Sequence, residues 1–155
     1  MARHSKAYSL WTNIVQRHKS LGYHDVKVCE EWRESWVFLQ WYARNYVEGY
    51  ELDKDLKVPG NRLYSPDTCL FIPRTLNRKL VNLGKSGVYL HAMGWRAQGL
   101  KLSGKRGVIK QSQVYEDCLE AYRENKNRFM DQLAVEYPAY AEQITNLKDY
   151  WSKSL

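Results

Sequence analysis

The chain has 155 residues, 44% hydrophobic and 26% charged, with a formal net charge of +7 at pH 7. This composition is that of an ordinary globular chain, one domain or two small lobes sharing a core. No apolar run nears the ~18 residues of a spanning helix, no apolar leader follows Met1-Ala2-Arg3-His4-Ser5-Lys6, and Cys29, Cys69 and Cys118 are too scattered for a disulfide framework or a zinc site. The expected setting is the cytoplasm, without a membrane, with reduced thiols buried in apolar surroundings.

In chain order, Ser9 to Leu21 is predicted to be helical, with Trp11, Ile14, Val15 and His18 on one face and Gly22 as the stop. Val26 to Cys29 reads as extended. Glu30 to Tyr46 is predicted as a second helix, with Glu30, Glu31 and Glu34 near its positive end. Trp32, Trp36, Leu39 and Ala43 form its expected buried stripe, widened by Val37, Phe38, Trp41 and Tyr42. An aromatic stripe at helical spacing reads as core, not as a base-stacking platform. Leu52 to Asn77 reads as strand, turn at Pro59-Gly60-Asn61, second strand through Leu70-Phe71-Ile72, and short helix. Arg78 to Lys85 carries the helix end and a linker. Three strands are predicted at Val88–Ala92, Trp95–Leu102 and Lys105–Gln111, with turns at Met93-Gly94 and Ser103-Gly104. Tyr115 to Tyr137 is predicted as a long helix with Cys118, Leu119, Tyr122, Phe129, Leu133 and Tyr137 on its apolar face. Pro138 ends or kinks it, and a last short helix turns Ile144, Leu147 and Tyr150 or Trp151 inward.

Charge is distributed unevenly along this plan. Residues 1–50 carry +2, residues 51–111 carry +8 and residues 112–155 carry −3. Between Thr68 and Tyr115 there are nine basic residues and no acid. An acid-free run of this length, interleaved with aromatics, points to a polyanionic partner. Solubility by net charge is the alternative.

The candidate chemistry lies in Leu52–Asn77. A strand–turn–strand–helix arrangement can bring Asp53 and Asn77 to one point, and two oxygen ligands with open positions suit a hydrated Mg²⁺. The alternative makes Asp53 a turn acid and Asn77 a helix C-cap. Asp55 shares the strand and, at a two-residue spacing, the face of Asp53; it is read either as a base acting through water or as an ion-pair partner of Lys54, Lys57 or Arg62. Lys54 suits a phosphate contact and is a poor base at neutral pH. Of the histidines, His4 falls in the terminus, His18 on an apolar face, His24 beside Asp25, and His91 in a strand. No HExxH, Walker loop or CxxC pair is present.

This stretch resembles the ββα-metal finger of HNH nucleases. In that family an acid–base pair lies on the first strand, an Asn follows Pro-Glu or Pro-Asp, and a ligand Asn or His lies nine residues on; Thr68, after Pro66-Asp67, is nine residues before Asn77. Residues 8 to 151 resemble small phage-borne HNH proteins with a helical lead-in and a C-terminal AP2-like DNA-binding segment. The lead-in likeness lies in Trp11, Arg17, Val28-Cys29-Glu30-Glu31-Trp32 and the aromatic helix to Tyr46. The AP2-like segment begins at Gly87-Val88-Tyr89-Leu90-His91 and continues through Trp95-Arg96-Ala97-Gln98. Two positions depart from the family pattern: Lys54 stands where the general-base His is expected, and Thr68 where the orienting Asn is expected.

The resemblance implies an α+β protein: N-terminal helices, a ββα-metal finger, and a three-stranded AP2-like sheet packed on a long C-terminal helix. Residues 1–83 would form the helical lead-in and finger, residues 84–155 the DNA-binding segment. It implies metal-dependent cleavage of double-stranded DNA, as a nicking or homing endonuclease, with Asp53 and Asn77 holding a divalent ion and with Asp53, Asp55, Lys54 and Thr68 at the catalytic positions. The rival expectation is a non-enzymatic descendant that binds DNA, or a host protein, as a regulator or inhibitor. Trp95, Arg96, Gln98, Lys101, Lys105, Arg106, Lys110 and Gln111 are the expected DNA contacts. Alternation separates Trp95, Ala97, Gly99 and Lys101 from Arg96, Gln98, Leu100 and Leu102, but imperfectly, and leaves open which face meets the long helix.

Overall fold

The computed structural model of the protein describes residues 5–17 and 25–154. His4, His18, His24 and the Gly22 stop of the first helix lie outside the described residues. The chain divides into two compact units, Met1–Arg74 and Thr75–Leu155.

The first unit begins with α1 (Lys6–Gln16), capped by the Ser5 side chain, which accepts a hydrogen bond from the Tyr8 N–H at 3.1 Å. A two-residue strand, β1 (Lys27–Val28), pairs in parallel with β3 (Leu63–Tyr64). The predicted helix over Glu30–Tyr46 is instead two pieces. A 3₁₀ turn at Glu31–Arg33 is followed by α2 (Ser35–Asn45), because Glu34 between them is extended, at φ −85° and ψ 116°. That break changes the phase of the aromatic stripe. Trp32 is wholly buried and so is Phe38, while Trp36 is 60% exposed and Ala43 faces solvent. Trp32 meets Phe38 edge-on at 4.9 Å and Trp41 at 4.8 Å, and the Trp11 indole N–H donates to the Trp32 carbonyl at 2.8 Å. Ile14, Val26, Tyr64 and Cys69 complete this core.

β2 (Tyr50–Asp53) pairs antiparallel with β4 (Leu70–Pro73), in the register Asp53 opposite Leu70 and Tyr50 opposite Pro73. Phe71 on β4 stacks on Trp41 of α2 at 5.5 Å, and Ile72 is wholly buried. Helix α3 (Arg74–Gly84) follows β4 directly. The predicted strand–turn–strand–helix order is present, with α3 longer than expected.

In the second unit, α3 buries Leu76, Leu80 and Leu83. Its side chains are held by α4 and the turn beyond it: Lys79 pairs with Glu136 at 2.7 Å, and the Thr75 and Tyr137 hydroxyls are 2.8 Å apart. These contacts group α3 with the second compact unit, which begins at Thr75. The strands β5 (Gly87–His91), β6 (Gly94–Leu100) and β7 (Arg106–Ser112) form an antiparallel sheet in the order β5-β6-β7. Each predicted strand is present to within two residues. Gly104, at φ +79°, closes the β6–β7 turn in a conformation that L side chains rarely adopt. Helix α4 (Tyr115–Glu136) lies against the sheet, and α5 (Ala141–Lys153) follows after a 3₁₀ turn at Pro138–Tyr140. Ile144 and Leu147 of α5 are buried, as are Met130 and Leu133 of α4. The whole is α+β. None of the described helices is long and apolar enough to cross a membrane.

Candidate functional site

The acidic loop after β2 is tied by its own hydrogen bonds. β2 ends at Asp53, so Asp55 lies in the following turn and not on a shared strand face. The cause is the Asp53 carboxylate itself. Its Oδ2 accepts from the backbone N–H of Asp55 at 2.9 Å and of Leu56 at 2.6 Å, bending the chain out of the strand. Leu56 is thereby turned into the interior. Burial raises the Asp53 pKa, and the nearby Asp55 charge adds to this; the two backbone donors oppose it.

Lys54 is not poised as a base. Its ammonium lies 2.6 Å from Asp55 Oδ1 and donates to the Asn61 carbonyl at 3.0 Å. Asn61 closes the loop from the other side, donating to the carbonyls of Lys54 (3.0 Å) and Leu63 (2.5 Å) and accepting from the Leu63 N–H. Thr68, at the position expected for the orienting Asn, is held by hydrogen bonds within the loop. Its Oγ1 lies 2.6 Å from the Leu63 carbonyl, accepts from the Ser65 N–H at 3.1 Å, and pairs with Ser65 Oγ at 2.9 Å.

Asn77 lies inside α3, well before its end at Gly84, so it is no C-cap. It belongs to the second unit and Asp53 to the first. Within the first unit, the groups around Asp53 are engaged with the loop itself. One carboxylate oxygen is taken by two N–H groups, and the neighbouring acid already has an ammonium beside it. Among the described residues, no three His, Cys, Asp or Glu side chains converge as metal ligands.

The sheet gives a sharper result. Val88, Trp95, Ala97 and Ile109 face α4 and pack on Cys118, Leu119 and Tyr122. Trp95, expected to meet DNA, therefore lies on the helix side, where it meets Tyr115 edge-on at 4.8 Å. Gly99 also faces α4: a Cβ there would lie 2.4 Å from Asn125 Oδ1. The Asn125 amide takes that space and bridges the Leu100 backbone, accepting from its N–H at 2.9 Å and donating to its carbonyl at 2.7 Å.

The opposite face carries Arg96 and Gln98, which resolves the ambiguity left by alternation. A bulge in β7 decides what joins them. Ala97 pairs with Lys110 but Gln98 pairs with Val108, so Ile109 is the extra residue and the phase shifts by one. Without that shift Gln111 would fall on the helix side. With it, Gln111 is the cross-strand partner of Arg96, and its Oε1 accepts from Arg96 Nε at 3.1 Å. On the other flank Tyr89 pairs with Arg96 and is exposed. Tyr89 is not among the expected DNA contacts, although the alternation Val88 in, Tyr89 out marks it as outward-facing.

The remaining cations lie at the β6–β7 end. Lys101, Lys105 and Arg106 are exposed there, and Lys101 N–H and the Lys105 carbonyl close the turn at 2.9 Å. The Lys101 stem crosses Gly107, where a Cβ would meet Cε at 2.7 Å. Lys110 sits exposed at the bulge. No protein-family model, curated protein or solved structure matches this chain.

Proposed function

We propose that this protein binds double-stranded DNA through the face of the β5–β7 sheet that carries Arg96, Gln98 and Gln111, and that it does so without hydrolysing the DNA. The observation that carries this reading is the gathering of one guanidinium and two amides on the sheet face turned away from α4. Guanidinium and amide groups are the side chains able to make paired hydrogen bonds to base edges. Three strands spaced at ~4.8 Å span about 10 Å, within the roughly 12 Å width of the major groove. Alternate residues along a strand are about 6.7 Å apart, close to two base-pair steps of about 3.4 Å. In this reading the exposed Lys101, Lys105 and Arg106 at the turn would meet phosphate.

The non-hydrolytic part rests on the acidic loop, where Lys54 and Thr68 are committed to internal hydrogen bonds. Metal-dependent phosphodiester cleavage is the second reading. It is favoured by the half-buried Asp53, whose carboxyl pKa is raised, with Asp55 close by, negative charge that a divalent cation would offset. Supercoiled plasmid incubated with Mg²⁺ or Mn²⁺ separates the two. The first reading expects retarded but intact plasmid. Nicking that disappears in Asp53→Ala would establish the second.

A further inference from the structure

Between α4 and α5 lies a cavity of about 380 Å³ whose lining includes Arg123, Lys126, Asn127, Lys148 and Trp151. No residue of the sheet lines it. Its most unusual member is Lys126, only 8% exposed. A lysine this buried is ordinarily paired with a carboxylate. Here the ammonium donates to the Tyr122 hydroxyl at 2.9 Å and sits over the Trp151 ring, 4.0 Å from its centroid. Lys148 brings a second ammonium, held by Asp131 at 2.7 Å, and Arg123 brings a guanidinium. Three cations thus line the cavity.

From this arrangement we propose that the α4–α5 cavity is a binding site for a phosphate-type oxyanion, free or as the monoester of a small molecule. The aromatic cage of Tyr122 and Trp151 holds the Lys126 ammonium by cation–π attraction. That leaves N–H donors beyond the one given to Tyr122. Arg123 adds planar paired donors, and the Asn127 amide adds a neutral donor. A tetrahedral dianion accepts from all of these at once. Burial pulls the Lys126 pKa down to about 8; at neutral pH the group is therefore still mostly charged, and an incoming anion would hold it so. The cavity volume falls in the range of small-ligand sites, roughly 300–1,000 Å³.

The test is titration calorimetry of the full chain with inorganic phosphate in a chloride buffer of matched ionic strength. The expected result is saturable uptake of one equivalent, weakened about tenfold or more in Lys126→Met, from the usual worth of a charge-assisted hydrogen bond. If circular dichroism shows that Lys126→Met does not fold, Arg123→Gln takes its place with the same expectation. Non-saturable heat in the wild type, or unchanged affinity in the folded variant, would overturn the proposal. Repeating the titration with saturating duplex DNA identifies the source of the anion. Uptake that persists supports a small free ligand, whereas loss of phosphate binding would make the cavity part of the DNA surface and overturn the small-ligand assignment.

Discussion

The fit between Gly99 and Asn125 controls how the sheet sits on α4, and it can be taken apart quantitatively. In Gly99→Ala the new methyl would lie 2.4 Å from Asn125 Oδ1, 2.8 Å from its Cγ and 2.9 Å from Ile109 Cδ1. Ile109 can swing its terminal methyl away, but the Asn125 amide is fixed by two hydrogen bonds to Leu100 and must leave. Leu100 is buried, so its N–H and C=O would be left without partners, at about 1–3 kcal/mol each. Replacing a strand glycine with alanine returns roughly 0.5–1 kcal/mol of backbone entropy. The net expected loss is about 2–5 kcal/mol. Asn125→Ala alone loses the same two bonds and should cost a similar amount. In the double variant the methyl enters space that the amide has vacated, so the second substitution adds almost nothing. A double-mutant cycle by urea denaturation should thus give a coupling of about 2 kcal/mol or more, and the Leu100 amide should lose hydrogen-exchange protection in all three variants. Costs that simply add, within about 0.5 kcal/mol, would refute the reasoning.

Lys126 has a folded-state pKa near 8 against a usual 10.5, so the unfolded chain holds more protons between those values and Lys126 costs the fold least at high pH. The stability of the wild type relative to Lys126→Met should therefore rise by about 3 kcal/mol between pH 7 and pH 10.5, by the 1.36 kcal/mol per unit conversion. The change should fall mainly between pH 8 and pH 10.5; taking the difference between the two proteins cancels the opposing thiol and phenol groups, Cys69 raised to about 11 and Tyr42 to about 12. A pH-independent gap would contradict the assignment. Phe38→Ala should cost about 3–5 kcal/mol and Trp36→Ala within about 0.5 kcal/mol, and equal losses in thermal denaturation would contradict the broken-helix phase. Asp53→Ala should lose about 1–3 kcal/mol through its two backbone hydrogen bonds, equally with and without Mg²⁺; a wild-type melting temperature that rises with Mg²⁺ while the variant's does not would mark a metal ligand instead.

Much of the fold was legible because it rests on local signals. Gly104 at the hairpin, Pro138 after α4, and the apolar spacing of Cys118, Tyr122 and Leu133 each carry a backbone or burial preference readable in a few residues. What could not be read depended on a single residue leaving the periodic pattern. Glu34 adopts an extended conformation and shifts the aromatic stripe from Trp36 to Phe38. Ile109 bulges and carries Gln111 to the same face as Arg96. Neither residue has a sequence preference that announces it, since both choices are settled by packing across the unit. The buried polar members of α4, Asn125 and Lys126, were hidden for a related reason. They satisfy a strand backbone and an aromatic cage contributed by distant residues, and polar residues on a helix read as its solvent side. Asp53 and Asp55 were expected on one strand face, but β2 ends at Asp53, and Asp53, Lys54 and Thr68 spend hydrogen bonds on the loop itself, which spacing alone does not reveal.

Fluorescence anisotropy of a labelled random-sequence duplex, titrated with the protein at several salt concentrations, tests the DNA-binding claim most directly. If the sheet and its turn neutralise about four to six phosphates, the log–log salt slope should be roughly −4 to −5. Lys105→Ala should reduce that slope by about one on every sequence, while Arg96→Ala and Gln98→Ala should leave it nearly intact and instead flatten the preference among sequences in a selection experiment. No binding at low salt, a flat salt response, or identical losses for all three variants on every duplex would contradict the account.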